Sequence, residues 1–174
     1  MNKQISGKAL AQKVRAYTNG DNPDFDLKNV FDIFQIQIEP ALNQGFENIT
    51  QNRFGFVIEV PASHITNDIF NKPEHRLNLA QMLGELLYKV IDTSSPEHTI
   101  PTFRNQTHKF DAQDFTVELL MPKTLIQKYI KESHMSFDDL AYKFQVLPRD
   151  LQKQMFRLEV SALSQMHKEQ NLVH

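Results

Sequence analysis

The sequence predicts an α+β fold, with several helices packed on a small mixed or antiparallel sheet and a helical pair at the C-terminus. Three observations carry this. Leu79, Met82, Leu83, Leu86, Leu87 and Val90 recur at i, i+3, i+4 and i+7, the period of a helix with one buried face. Gln35 to Glu39 and Phe54 to Val60 (F-G-F-V-I-E-V) are short runs rich in Ile, Val and Phe, each closed by a proline, as strands are. Ser136 to Leu158 reads as two helices around a turn at Gln145-Val146-Leu147-Pro148. With 174 residues, 40% of them hydrophobic and 23% charged, the chain suits one domain with its own core.

Taken in order, Ser6 caps a first helix reaching Tyr17, with Ala9, Leu10, Val14 and Tyr17 on its inner side and Asn19-Gly20 ending it. Asp26 caps a second helix whose Leu27, Val30, Phe31 and Phe34 face the core. Ile36 and Ile38 alternate with polar neighbours in a half-buried strand that Pro40 closes. Residues 42–53 read as a loop or weak strand, Phe54 to Val60 as the best strand of the chain, and 61–75 as a loop. The long helix follows from Arg76. Residues 92–107, polar and holding Pro96 and Pro101, form a long loop of the kind that is either a lid or mobile. A helix at Asp111 is broken by Pro122, and a short one covers 124–132. Ser136 and Asp139 make an S-x-x-D cap ahead of Leu140, Ala141 and Phe144, and the chain frays after about Ala162.

Composition excludes several functions. The formal charge is −2 and evenly spread, with 10 Lys and Arg against 12 Asp and Glu up to residue 104, and 9 against 9 beyond it. Neither part has the positive excess that holds a polyanion by its field. Without cysteine there are no disulfides and no thiolate metal sites, which fits a reducing cytoplasm. Met1 to Arg15 lacks the apolar core of an export signal, and no run approaches the ~20 apolar residues of a membrane span. The expected location is cytoplasmic, away from the membrane.

The long helix carries a second pattern. Gln81 and Glu85 fall together on the side opposite the apolar stripe, one turn apart. Zinc peptidases place H-E-x-x-H in this register: two histidines hold the metal and the glutamate is the general base. Here the five residues are Gln81-Met82-Leu83-Gly84-Glu85. A second stretch, Asp111 to Pro122 (D-A-Q-D-F-T-V-E-L-L-M-P), gives the comparison its weight. Together with R-L-N-L-A-x-x-L-G-x-L-L from Arg76, it resembles the ImmA/IrrE family of gluzincin-like metallopeptidases. That family reads roughly R-F-T-L-A-H-E-L-G-H and then E-A-N-x-F-A-A-x-L-L-M-P. The likeness runs from the opening helix to about Leu158, and Leu119 to Pro122 is its most specific piece.

The resemblance implies a zincin-like minimal peptidase fold, with a core over 1–122, a helical pair over 123–160 packed on it, and a frayed tail over 161–174. It puts Gln81 at the first histidine ligand, Met82 at the general base, Glu85 at the second histidine and Asp111 at the third ligand, a glutamate. Gln81 is a poor zinc ligand and Met82 can neither take nor give a proton. The expectation is a pseudoenzyme with a degenerate H-E-x-x-H, no catalytic residue and no metal. Family members commonly work beside helix-turn-helix repressors of phage and mobile-element genes. The expected role is therefore a regulatory protein-binding module for such a repressor, acting through a cleft of Phe56, Ile58, Gln81, Glu85 and Asp111. Within the family the strand at 54–60 borders this cleft and pairs with extended peptide along its edge. The plain reading is a core strand.

Two alternatives stand beside it. A displaced site of Glu85, Asp111 and His108 could hold zinc or manganese and make the chain a metal-dependent peptidase. Against it, zinc sites of this kind keep at least one histidine on the central helix. The other six histidines show no H-x3-H or H-x-H spacing and read as single exposed residues. The second alternative is DNA binding through Arg149, Lys153 and Arg157, which share one face at i, i+4 and i+8. Residues 136–158 hold 4 Lys and Arg against 3 Asp and Glu and no turn glycine, so nucleic acid is disfavoured as a partner.

Overall fold

The computed structural model describes residues 5–18, 20, 22–41, 48–53, 55–91, 111–132 and 135–171. The order is α1 (Gly7–Tyr17), α2 (Leu27–Ile33), β1 (Ile36–Pro40), β2 (Asn48–Asn52), β3 (Gly55–Val60), a 3-10 turn (Ala62–His64), α3 (Pro73–Ile91), α4 (Ala112–Leu120), α5 (Lys123–Glu132), α6 (Phe137–Lys143) and α7 (Pro148–Asn171). It is a mixed α+β arrangement around a small mixed sheet.

Helix starts follow the caps written in the sequence. The Ala9 amide donates to Ser6 Oγ at 3.2 Å, and the Asn29 amide to Asp26 Oδ1 at 2.9 Å. Ser136 and Asp139 form a full capping box. Two boundaries differ from expectation. α3 begins at Pro73, not Arg76, because proline is well suited to a first helical position, where its missing amide costs nothing. α7 continues as a helix to Asn171, past the expected fraying point, with no glycine or proline inside it.

The sheet order is β1-β3-β2, with β1 parallel and β2 antiparallel to β3. Residues 48–52, expected in a loop or weak strand, thus form an edge strand. β3 has neighbours on both sides, so it is a core strand and offers no free edge to a peptide. Ile36, Ile58 and Ile49 lie in register across the sheet, or one pair along, and are buried on one face. Val57 is buried on the other face, while Gln37 and Glu39 beside it are exposed.

One apolar cluster runs from Leu10 to Leu151 and takes in Leu79, Leu83, Leu86, Phe115, Leu119, Leu140 and Phe144. Its centre is the packing of α4 against both α1 and α3, and two glycines allow the close approach. A Cβ on Gly84 would collide with the Phe115 ring, and one on Gly7 with the backbone of Asp111 and Phe115. Two side chains expected inside are outside: Tyr17 is 73% exposed and Val90 41%, while Phe34 is half-buried and packs against the core. The sheet and α2 reach only part of the α1 and α3 surface, so these residues ring a depression.

Two buried arginines hold loops to this core. Arg76 is 1% exposed and donates from Nη1 to the Phe70 carbonyl at 2.7 Å and from Nη2 to the Phe25 carbonyl at 2.8 Å. Burial lowers its pKa to about 10, against the pull of Asp24 and Asp26, so it is charged at neutral pH. Arg15 donates to the Leu119 carbonyl at the end of α4 and to Asn22 O, and lies 4.8 Å over the Phe25 ring. A charged donor here satisfies carbonyls that a helix end leaves without an intrahelical partner.

Candidate functional site

α3 divides its surface cleanly. Leu79, Leu83 and Leu86 go into the core, and Gln81 and Glu85 stay on the outer side, Gln81 exposed and Glu85 half-buried. The Gln81 amide approaches Glu85 Oε1 at 3.5 Å, the long limit of a hydrogen bond. Lys89 follows one turn on. Partial burial lowers its pKa while Glu85 pulls the other way. Gln81, Glu85 and Lys89 therefore form a polar strip along the outer side of α3.

Met82 lies inward. It is 6% exposed and belongs to the main apolar cluster, so its side chain serves packing. Nothing at this residue can accept a proton from water.

Asp111 is the N-cap of α4, not a member of the helix. The Asp114 amide donates to its Oδ1 at 2.9 Å, which gives the carboxylate a structural task. The residue is exposed. His108, the third member of the displaced metal site, lies outside the described residues, as does the loop at 92–107. Among the described residues, no group of three or more His, Asp or Glu side chains could hold a metal ion.

The expected cleft is not assembled as one surface. Ile58 is fully buried and presents nothing outward. Phe56 is half-buried and lines an apolar groove of about 410 Å³ between α1, the sheet and the end of α3, with Leu10, Val14, Phe34 and Leu87. Tyr17, Ile33 and Val90 stand exposed at its rim, and among the described residues Lys13 is the one charged residue lining it. Gln81, Glu85 and Asp111 line neither this groove nor a shallower one of about 630 Å³ beside α2 and β1. The volume lies within the range of binding pockets, which are concave and mostly apolar.

In the tail, Arg149, Lys153 and Arg157 are exposed on α7. Asp150 Oδ1 lies 4.0 Å from Arg149 Nε and 3.9 Å from Lys153 Nζ, so part of that charge is answered locally. The turn between α6 and α7 needs no glycine, because Gln145 itself takes the left-handed conformation at φ 52°. No helix among the described residues is long and apolar enough to cross a membrane.

Sequence reasoning missed two features. The groove is one, since Tyr17 and Val90 at its rim read as core. The other is a histidine pair. His64 in the 3-10 turn and His75 in the first turn of α3 are half-buried with ring centroids 4.6 Å apart. They belong to different elements, and no sequence spacing marks such a meeting. Compared with known proteins, the chain matches no family model, no curated protein and no solved structure.

Proposed function

We propose that this chain is a catalytically silent member of the ImmA/IrrE-like peptidase group, with a zincin-like core. In this reading it acts as a regulatory binding module for a helix-turn-helix repressor of a phage or mobile-element system. The observation that supports the reading is the burial of Met82, the residue that the resemblance puts at the family's general base. Further support comes from the two stretches that resemble the family's motifs. They form α3 and α4, and these pack directly on each other through Gly84 and Phe115. Loss of the proton-transfer group removes turnover but leaves binding surface intact, because affinity does not require transition-state chemistry.

The surface we assign to the partner is the apolar groove around Phe56. Its exposed Tyr17, Ile33 and Val90 are the aromatic and aliphatic anchors on which protein interfaces rely. The test mixes the purified protein with the repressor encoded beside it in the native host. The expected result is a stable complex with intact repressor, weakened by Tyr17→Ala and Val90→Asp. Repressor cleavage that stops on Glu85→Ala or Asp111→Ala would establish the metal-dependent peptidase instead. The absence of any complex would end the reading.

A further inference from the structure

The apolar groove has walls and a floor that select the form of its occupant. Its walls are helical rows. Leu10, Val14 and Tyr17 recur at i, i+4 and i+7 on α1, and Leu86 and Val90 stand one turn apart on α3. Side chains in such rows form the ridges between which a neighbouring helix lays its own.

The floor is the sheet. Ile36 and Phe56 are register partners on β1 and β3, so the groove meets the sheet on its face. Hydrogen bonds of a sheet run in its plane, toward neighbouring strands, and the face offers none. The backbones of α1 and α3 are likewise engaged in their own ladders. An extended peptide would set its amides and carbonyls against an apolar wall with nothing to pair them. A helix brings its backbone already paired and presents only side chains.

Lys13 adds a charge to this shape. It is exposed on α1, one turn from both Leu10 and Tyr17, and among the described residues it is the only charged group lining the groove. An ammonium at the edge of an apolar surface favours an acidic side chain beside the apolar stripe of a partner and repels a basic one.

We propose that the groove takes an amphipathic helix of the repressor, apolar at i, i+3 or i+4, and i+7, with an aspartate or glutamate flanking that stripe against Lys13. This rests on the binding role proposed above, and adds which element of the partner docks and which charge it carries.

The test uses the absence of cysteine from the chain, which lets Ile33→Cys and Val90→Cys each carry a photo-crosslinker on a single thiol. Each labelled chain, checked for folding by circular dichroism, is irradiated with saturating repressor encoded beside it in the native host. The expected crosslinks fall on repressor residues three or four apart, along one face of one helix. By calorimetry at low salt, Lys13→Glu should weaken the complex about three- to tenfold, and less as salt rises. Lys128→Glu, exposed on α5 and outside the groove lining, should leave it unchanged. Replacing the partner's flanking acidic residue with lysine should restore binding to the Lys13→Glu chain. A complex that crosslinks at every second residue, as a strand would, overturns the proposal alone. So does a complex that yields no crosslink from the groove or ignores Lys13→Glu. The absence of any complex ends the binding role and this inference together.

Discussion

Gly84 of α3 and Phe115 of α4 share one space: the phenyl ring lies where a side chain on Gly84 would begin, with Cγ 2.8 Å from the Cβ position. Phe115 is fully buried, so the ring has nowhere to retreat. Gly84→Ala should therefore destabilise the protein by about 1–3 kcal/mol through overpacking, although alanine is the better helix former. Urea unfolding would measure it. A gain in stability would mean that the two helices do not meet as closely as described.

The burial of Met82 gives a paired prediction. Met82→Leu conserves volume and should cost less than about 1.5 kcal/mol. Met82→Glu puts a carboxylate among Leu79, Leu83 and Leu86, and should cost about 2–4 kcal/mol. Chemical denaturation of both variants separates packing from charge. Equal stabilities would place residue 82 at the surface.

Asp111 is tested by its role as a cap. Asn caps as well as Asp, so Asp111→Asn should stay within a few tenths of a kcal/mol of wild type, while Asp111→Ala loses about 1 kcal/mol. A metal ligand behaves differently, because neutral Asn would lose most of a carboxylate's affinity. Stability measured with and without added zinc tells the two apart.

Removing Arg76 leaves the Phe25 and Phe70 carbonyls without their donor and opens a cavity. Arg76→Met should cost about 3 kcal/mol. A pH series adds a second check. The folded pKa is lowered to about 10, so near neutrality the group is charged in both states and contributes no slope. Above about 10 the unfolded chain holds a proton the folded one has released, and the contribution to stability rises with pH. The difference between wild type and variant should be flat around neutral pH.

Where one residue's chemistry acts on its immediate neighbours, the sequence was readable. Ser6, Asp26 and Ser136 cap the helices they precede, and the apolar period of α3 places Leu79, Leu83 and Leu86 inside. What depends on distant partners was not. The central place of β3 is decided by β1 and β2 pairing on its two sides, and short apolar runs carry no mark of pairing order. Tyr17 and Val90 have the right period for burial, but nothing among the described residues covers them fully. At the site, the outward place of Gln81 and Glu85, opposite the apolar stripe, was legible from their spacing. The capping role of Asp111 depended on where α4 begins, the least readable property of a helix.

The double pairing of β3 also orders the molecule in time. Hydrogen bonds to β1 and β2 flank this strand, while β1 and β2 are the two outer strands of the sheet among the described residues. An amide on the outer edge of β1 or β2 can exchange its proton after a local opening. The amides of Val57 and Ile58 must wait until the sheet itself comes apart. In deuterated solvent β3 should be the last strand to label, at the rate set by global unfolding.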